Sequence, residues 1–435
     1  MSLFRLMFLL MGLGSALAGC SGAPGAGTVA DRPDGVVKAG TLTFEVWLEA
    51  FRAEALATGI LPYSLDLAFA DVAPNPDVLE RDRRQPELTR PIWSYLAGAV
   101  DEGRVARGRR MLERHGAALA VAGRGYGVPP EIIVAIWGME TDYGTFFGGF
   151  DVVEALSTLA YDGRRADFAR SELLAALRIL QNGDVAAGGL AGSWAGAMGH
   201  TQFMPTTYLN RAIDADGDGR RDIWGSLPDV FASTANYLAE AGWRGGEPTV
   251  EEIALPADFD WELAEVDIRV PTIERRLVEW RTLGIRYADG GALPATERRA
   301  TVLLPAGNAG PAFLVGANFR ALLDYNNATS YALSVAHLAG RLAGDGPFLA
   351  AWPVDEPSLT HDDGIELQRL LDELGYAPGP IDGIVGPMTR ASVRLFQRDA
   401  GRPPDGFPTV ALLDQLRRTH ALVSGQGGAS GTEPL

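Results

Sequence analysis

The 435-residue sequence predicts a mainly helical (α+β) protein with a small sheet inserted among the helices and a separate helical unit near its C-terminal end. Three observations carry this. From Thr43 onward, apolar residues recur at helical spacing. Between roughly Glu251 and Val315 the texture changes to short β-rich runs, "IRVP", "RATVLLPAG" and "PAFLVG", broken by Gly and Pro. From about Asp362 to His420 a compact helical pattern follows a Pro- and Gly-rich stretch. A hydrophobic content of 47% with 21% charged residues is that of a globular protein with a core, and the length calls for two or three domains.

In chain order, residues 1–20 read as a secretory signal: Arg5, an apolar stretch from Leu6 to Leu13, then small residues, too short to span a membrane. It closes on Leu17-Ala18-Gly19-Cys20, which resembles a bacterial lipobox with Cys20 as the lipidated residue; the plainer reading is an ordinary cleavage site beside a chance cysteine. Cys20 is the single cysteine, so no internal disulfide can form, and lipidation would remove an exposed thiol. Residues 21–41 read as a flexible linker.

Residues 42–345 form the main domain. Thr43 is placed as an N-cap before Phe44, Trp47, Leu48 and Phe51 on one helical face. Helical patterns continue through "PIWSYLAGAVDEGRVARGRRMLERHGAAL", "EIIVAIWGM", "RADFARSELLAALRILQNG" and "DVFASTANYLAEAGW", and return after the sheet at "NFRALLDYN" and "SYALSVAHLAGRLAG". A second linker is expected over 346–361, a small helical domain over 362–420, and a disordered tail over 421–435. In the small domain Leu367, Leu370, Leu371 and Leu374 share a helical face ended by Gly375, and a second helix carries Val393 and Phe396. The formal charge of −17, with no basic stripe, excludes nucleic acid as a partner.

One acid stands out. Glu140 closes the apolar run "EIIVAIWGM", between Pro129 and Pro130 where a helix starts and Gly144 where it would stop. Trp137, Ile136 and Ile133 lie on its face of the helix. Desolvation and the negative end of the helix dipole both disfavour the carboxylate, so its pKa should rise, as a general acid requires. The structural alternative is a glutamate paired with an arginine such as Arg164 or Arg165. Further along, "GSWAGAMGHTQFMPTTYL" is dense in small residues, either for close approach of backbone to a ligand or for tight packing, and "LDYNNATSYALSV" follows at 323–335.

Taken in order, "GVPPEIIVAIWGMETDYG", "GSWAGAMGHTQFMP", "DADGDGRRDIW" and "YNNATSYA" resemble the lytic transglycosylase B family of bacterial cell-wall enzymes, over roughly Thr43 to Leu342. The resemblance implies a lysozyme-like helical domain that cleaves peptidoglycan between N-acetylmuramic acid and N-acetylglucosamine, leaving a 1,6-anhydro muramoyl end. It assigns the single catalytic carboxylate to Glu140 and substrate contacts to Ser193, Met198, Gln202, Phe203, Tyr237, Tyr325, Asn326 and Tyr331. Asp142 and the pair His200-Thr201 depart from the family's commonest pattern. Such an enzyme needs no cofactor for catalysis. A lysozyme-like hydrolase and an inactive glycan-binding scaffold are the competing readings.

"DADGDGRRDIWG" sets Asp214, Asp216, Asp218 and Asp222 at positions one, three, five and nine of an EF-hand loop, with Arg220 at the backbone-carbonyl position seven. Position twelve is Gly225, so Asp229 would have to supply the last ligand in a longer loop, as the family's divergent calcium loop implies. A structural Ca²⁺ is the expectation, against a solvated acidic turn. The motifs "LQRLLDELGY", "GPIDGIVGPMTRASVRLFQ" and "DGFPTVALLDQL" resemble a three-helix peptidoglycan-binding domain, the alternative being a generic helical interaction module. The expected setting is the periplasm, with a lipid anchor in the outer membrane, because Ser21 does not resemble an inner-membrane retention signal. A monomer is expected.

Overall fold

The computed structural model describes residues 42–83, 90–186 and 188–427. Cys20, the signal segment and the linker up to residue 41 lie outside the described residues. The described chain forms two compact units, one from 42–83 and 144–233, the other from 90–143 and 234–427. Among the described residues no single helix is long and apolar enough to cross a membrane.

In the first unit, helix Phe44–Ala57 starts after Thr43, whose side chain makes no capping bond to the helix. Trp47 stacks on both Phe44 and Phe51 at 5.5 Å. Helices Val152–Asp162 and Ala166–Asn182 pack on each other as the unit's centre. An antiparallel ribbon, β1 (Phe150–Asp151) with β2 (Ala191–Gly192), delivers the chain into the small-residue loop. A Cβ on Gly192 would run into the Ala197 carbonyl and the Val152 side chain. The small residues therefore serve protein packing at this point.

In the second unit, the long pattern expected after Pro91 is two helices, Ile92–Ala99 and Glu102–Tyr126. Asp101 makes the break by accepting the Arg104 N–H at 2.9 Å as an N-cap. Helix Pro130–Thr141 packs between Glu102–Tyr126 and Thr329–Ala343. The inserted sheet has six strands, β3 (Val250–Ala254), β4 (Ala264–Glu265), β5 (Arg275–Arg276), β6 (Arg286–Tyr287), β7 (Arg299–Leu303) and β8 (Ala312–Val315). Their order is β4-β7-β8-β3-β6, with β5 also on β7. A short helix, Leu277–Thr282, buries Trp280 against it, and the indole N–H donates to the Ala300 carbonyl at 2.9 Å.

"IRVP" was expected as a strand and is a turn. The cause is Glu265, whose carboxylate gathers the loop. It accepts the N–H groups of Val266, Asp267, Thr272 and Ile273 and the Thr272 hydroxyl, at 2.7–3.3 Å.

The stretch expected as a second linker is packed onto the sheet and the helix beside it. Phe348 stacks on His337 at 4.1 Å and meets Phe313 edge-on at 4.8 Å. The N–H groups of Leu349 and Ala350 each donate to the Glu252 carboxylate at 2.7 Å. Helices His361–Glu373, Pro387–Asp399 and Val410–Gly427 then enclose Leu367, Leu371, Val393, Phe396, Leu412 and Leu416. The last helix passes residue 420, where the tail was expected to begin, and ends at Gly427.

Glu265→Ala would leave that ring of donors without its acceptor. The expected cost is roughly 2–4 kcal/mol of unfolding free energy, checked by urea denaturation against wild type.

Candidate active site

Ile132 through Gly138 are all buried, so the helix Pro130–Thr141 is enclosed over most of its length. Glu140 is its penultimate residue and is only 4% exposed. What stops the helix is a pair of left-handed residues, Asp142 (φ 49°) and Tyr143 (φ 62°), both uncommon for side chains other than glycine. Two contacts to helix Glu102–Tyr126 hold that exit. Asp142 pairs with Arg107 at 2.8 Å and Arg104 at 3.7 Å. The Tyr143 hydroxyl donates to the Arg104 carbonyl at 2.9 Å, and its ring lies where a Cβ on Gly138 or Gly108 would sit. The acid is thus placed by a rigid helix end.

The Tyr331 hydroxyl donates to Glu140 Oε1 at 2.6 Å, within the buried interior. Burial pushes the Glu140 pKa up to about 8, and the Tyr331 hydrogen bond pulls against it without prevailing; no second carboxylate is among the causes. The carboxyl is therefore largely protonated at neutral pH. Arg164 and Arg165, weighed as structural partners of Glu140, pair instead with Asp82, the first through its Nε at 2.7 Å.

Tyr331 stacks in parallel on Tyr325, with ring centres 6.5 Å apart, and Tyr325 lies 4.6 Å from Tyr237. The Tyr237 hydroxyl donates to the Asp324 carbonyl at 2.8 Å. Asn326 is buried, and its side-chain oxygen accepts no hydrogen bond among the described residues. An aromatic row with one buried spare acceptor beside it is suited to sugar rings and an amide N–H.

The other four expected contacts belong to the first unit. Ser193 spends its hydroxyl oxygen on the N–H groups of Ala195 and Ala197, at 3.3 and 3.0 Å. Met198 and Phe203 are joined by reciprocal backbone hydrogen bonds of 2.8 and 2.9 Å, and both side chains are buried. Gln202, at φ 54°, donates to the carbonyls of Phe147 and Gly199, while its side-chain oxygen is buried with no donor among the described residues. Gln202 alone of the four keeps such an acceptor.

The acidic loop is only partly assembled as expected. Ligand oxygens of Asp214, Asp216 and Asp229 lie within 4.8 Å of one another. Asp229 is fully buried and accepts the N–H groups of Ala215, Asp216 and Asp222. Asp218 is instead paired with the Arg220 guanidinium at 3.1 Å, and Asp222 folds back on the N–H groups of Trp224 and Gly225. Neither is in the cluster of three, and the Arg220 side chain is engaged by Asp218. Three converging carboxylates, one of them buried, fit a hard cation with oxygen ligands.

Residues 43–340 match the family model for the transglycosylase SLT domain. The chain belongs to that family. Residues 360–416 match the model for a peptidoglycan binding domain. The membrane-bound lytic murein transglycosylase B of Escherichia coli is 32% identical over 234 residues, which cover 52% of this chain and 60% of that protein. The match thus spans about three fifths of that relative's length. SltB3 of Pseudomonas aeruginosa, solved with NAG-anhNAM-pentapeptide, is 51% identical with a TM-score of 0.83, covering 86% of this chain and 99% of its own. Escherichia coli Slt35, solved with calcium, is 27% identical with a TM-score of 0.58, covering 68% of this chain and 92% of its own.

The props of the acid, Arg104, Arg107 and Tyr143, were not read from the sequence. The two arginines lie about a helix length before Glu140, and nothing local marks them.

Because the folded pKa of Glu140 is raised, its contribution to stability is fully present below about 4.5 and is lost as pH rises through about 8. Glu140→Gln should therefore be more stable than wild type at pH 8–9, by up to about 4 kcal/mol, with the difference vanishing near pH 4. Denaturation midpoints across pH check this.

Proposed function

We propose that this chain is a lytic transglycosylase that cleaves the β-1,4 bond between N-acetylmuramic acid and N-acetylglucosamine, with Glu140 as acid and then base. The observation that carries the reading is a buried carboxyl at a helix end, hydrogen-bonded to Tyr331 and favoured in its protonated form by burial. Protonated Glu140 gives its proton to the glycosidic oxygen as the C1–O bond breaks. The muramoyl N-acetyl group stabilises the cation at C1. The C6 hydroxyl then bonds to C1, and its proton returns to the Glu140 carboxylate, so the enzyme ends as it began. Membership of the SLT family and the anhydro sugar held by the similar SltB3 both support this outcome over hydrolysis.

Tyr237, Tyr325, Asn326 and Tyr331 are proposed as glycan contacts beside the acid, and Ser193, Met198, Gln202 and Phe203 as contacts supplied by the first unit. Asn326 and Gln202, with their spare buried acceptors, are the strongest of these. Asp214, Asp216 and Asp229 are proposed to hold a structural Ca²⁺, supported by their convergence and by the calcium in Slt35. The setting is proposed as the periplasm, with Cys20 as a lipid anchor.

Glu140→Gln keeps the shape of the site but moves no proton. Turnover of isolated glycan strands should fall by at least about 10²–10⁴-fold. Wild type should release muropeptides ending in 1,6-anhydro-N-acetylmuramic acid, one water lighter than hydrolytic products by mass spectrometry. Reducing-end products alone would make it a hydrolase, and full activity in the Gln variant would make Glu140 structural.

A cation bound only by the folded state raises the melting temperature by mass action. Added Ca²⁺ should raise the midpoint of wild type over that in chelator, and Asp229→Asn should abolish the difference.

A further inference from the structure

The sequence reads as a catalytic body with a wall-binding module on a linker. The contacts describe something tighter. Helix Pro387–Asp399 carries Arg390, Arg394 and Arg398 four residues apart, hence on one face. Arg390 donates to the Leu304 carbonyl at 3.0 Å, at the end of β7. Arg394 donates to the Ala264 carbonyl at 2.8 Å, in β4. From the sheet side Glu265 in β4 and Glu262 and Asp260 just before it act on Arg394, and Asp405 does so from its own module, so a basic helix face meets acids at this edge of the sheet. Arg398 adds a pair with Glu262 at 3.7 Å, too exposed to matter much.

A second set of contacts comes from the loop before the last helix. Asp405 accepts the Asn308 N–H at 2.8 Å while also accepting from Gln397 and Phe407 of its own module. The same carboxylate thus orders the module's loop and grips the turn at Gly307–Ala309. Approach is close there: a Cβ on Gly307 would collide with Asp405 and Phe407, and one on Gly406 would press on the Arg390 carbonyl and Val266. The packed stretch of Phe348 to Ala350 is a third, independent tie. A cavity of about 150 Å³ is walled jointly by Asn308 of that turn, Pro353 and Glu356 of the segment after Ala350, and Gln397 and Arg402 of the module.

We infer that the wall-binding module is a fixed part of the catalytic unit, seated on the inserted sheet through Arg390, Arg394 and Asp405, so that a strand it holds meets Glu140 in one register. The inference rests on the proposed glycan-cleaving reading for its consequence, and on contacts alone for the seating. A freely linked module would raise the local concentration of wall but would leave the site of cleavage unconstrained. A seated one sets the distance between where the strand is held and where it is cut.

Two measurements on the full chain test this, in a Cys20→Ser background that has no other cysteine. Spin labels at Glu113→Cys and Arg369→Cys, both exposed positions in this unit, report the distance between catalytic helices and module. The expected distribution is single and narrow; a broad one overturns the seating. Arg390→Met with Arg394→Met keeps an unbranched apolar stem but removes both hydrogen bonds and the charge match. The distribution should then broaden while the module's circular dichroism is retained. If it stays narrow, these arginines do not form the seat.

The second measurement is the length distribution of initial products from long glycan strands. It should be narrow for wild type and broad for the double-Met variant, with turnover of a short tetrasaccharide changed by less than about twofold, since Glu140 is untouched. Identical product lengths with a loosened module would overturn the register. No anhydro product from either protein would instead defeat the catalytic reading and leave the distance result standing on its own.

Discussion

A carboxyl enclosed by apolar residues with one hydroxyl for company is the constraint around which the second unit is organised. Removing a carboxylate from water is costly, and the chain meets that cost by keeping Glu140 neutral. The consequence reaches outward. Because the acid depends on exclusion of water, the helix that carries it must be enclosed by Glu102–Tyr126 and Thr329–Ala343. Because Tyr331 comes from the second of these and its hydrogen bond opposes the effect of burial, the relative placement of two helices far apart in the chain moderates the strength of the acid.

The helix exit serves the same end. Two left-handed residues in succession are unfavourable by themselves and persist only where surroundings over-determine them. Here the Asp142–Arg107 pair and the Tyr143 hydroxyl do so, and Gly138 and Gly108 leave room for the ring. Asp142 departs from the family's usual residue, yet its role in this chain is legible: its carboxylate is engaged by arginines on the neighbouring helix, and turned to that task it is no candidate for a second catalytic group.

Local features were readable and distant ones were not. Pro130 at the first helical turn, the apolar run behind Glu140 and the periodic leucines of the C-terminal module all express neighbours within a few residues, and the structure has them as helices. The raised pKa was expected from that run together with the helix end, and burial is what raises it. Tyr331 as the acid's donor lies 191 residues away and came only with the family resemblance, as a substrate contact. The errors share a cause. "IRVP" has strand-like composition, but a buried Glu265 gathers the backbone donors on either side of it into a turn; residues 346–361 have linker composition, but Phe348 finds an aromatic shelf supplied by other elements. In the acidic loop, spacing set four aspartates as ligands and the family resemblance added Asp229, whereas here Arg220 takes Asp218 and backbone N–H groups take Asp222.

The shared surface between β4, β7 and helix Pro387–Asp399 has an evolutionary corollary. A domain joined by a free linker can be exchanged for another by simple gene fusion. Exchange of this one would part Arg394 from the Ala264 carbonyl and Asp405 from the Gly307 turn. In chains that carry both, substitutions on one side of the seat are expected to be answered by substitutions on the other. Recombination at residues 346–361, which composition marks as the natural crossover point, would keep each sequence intact and still lose the contacts that join them.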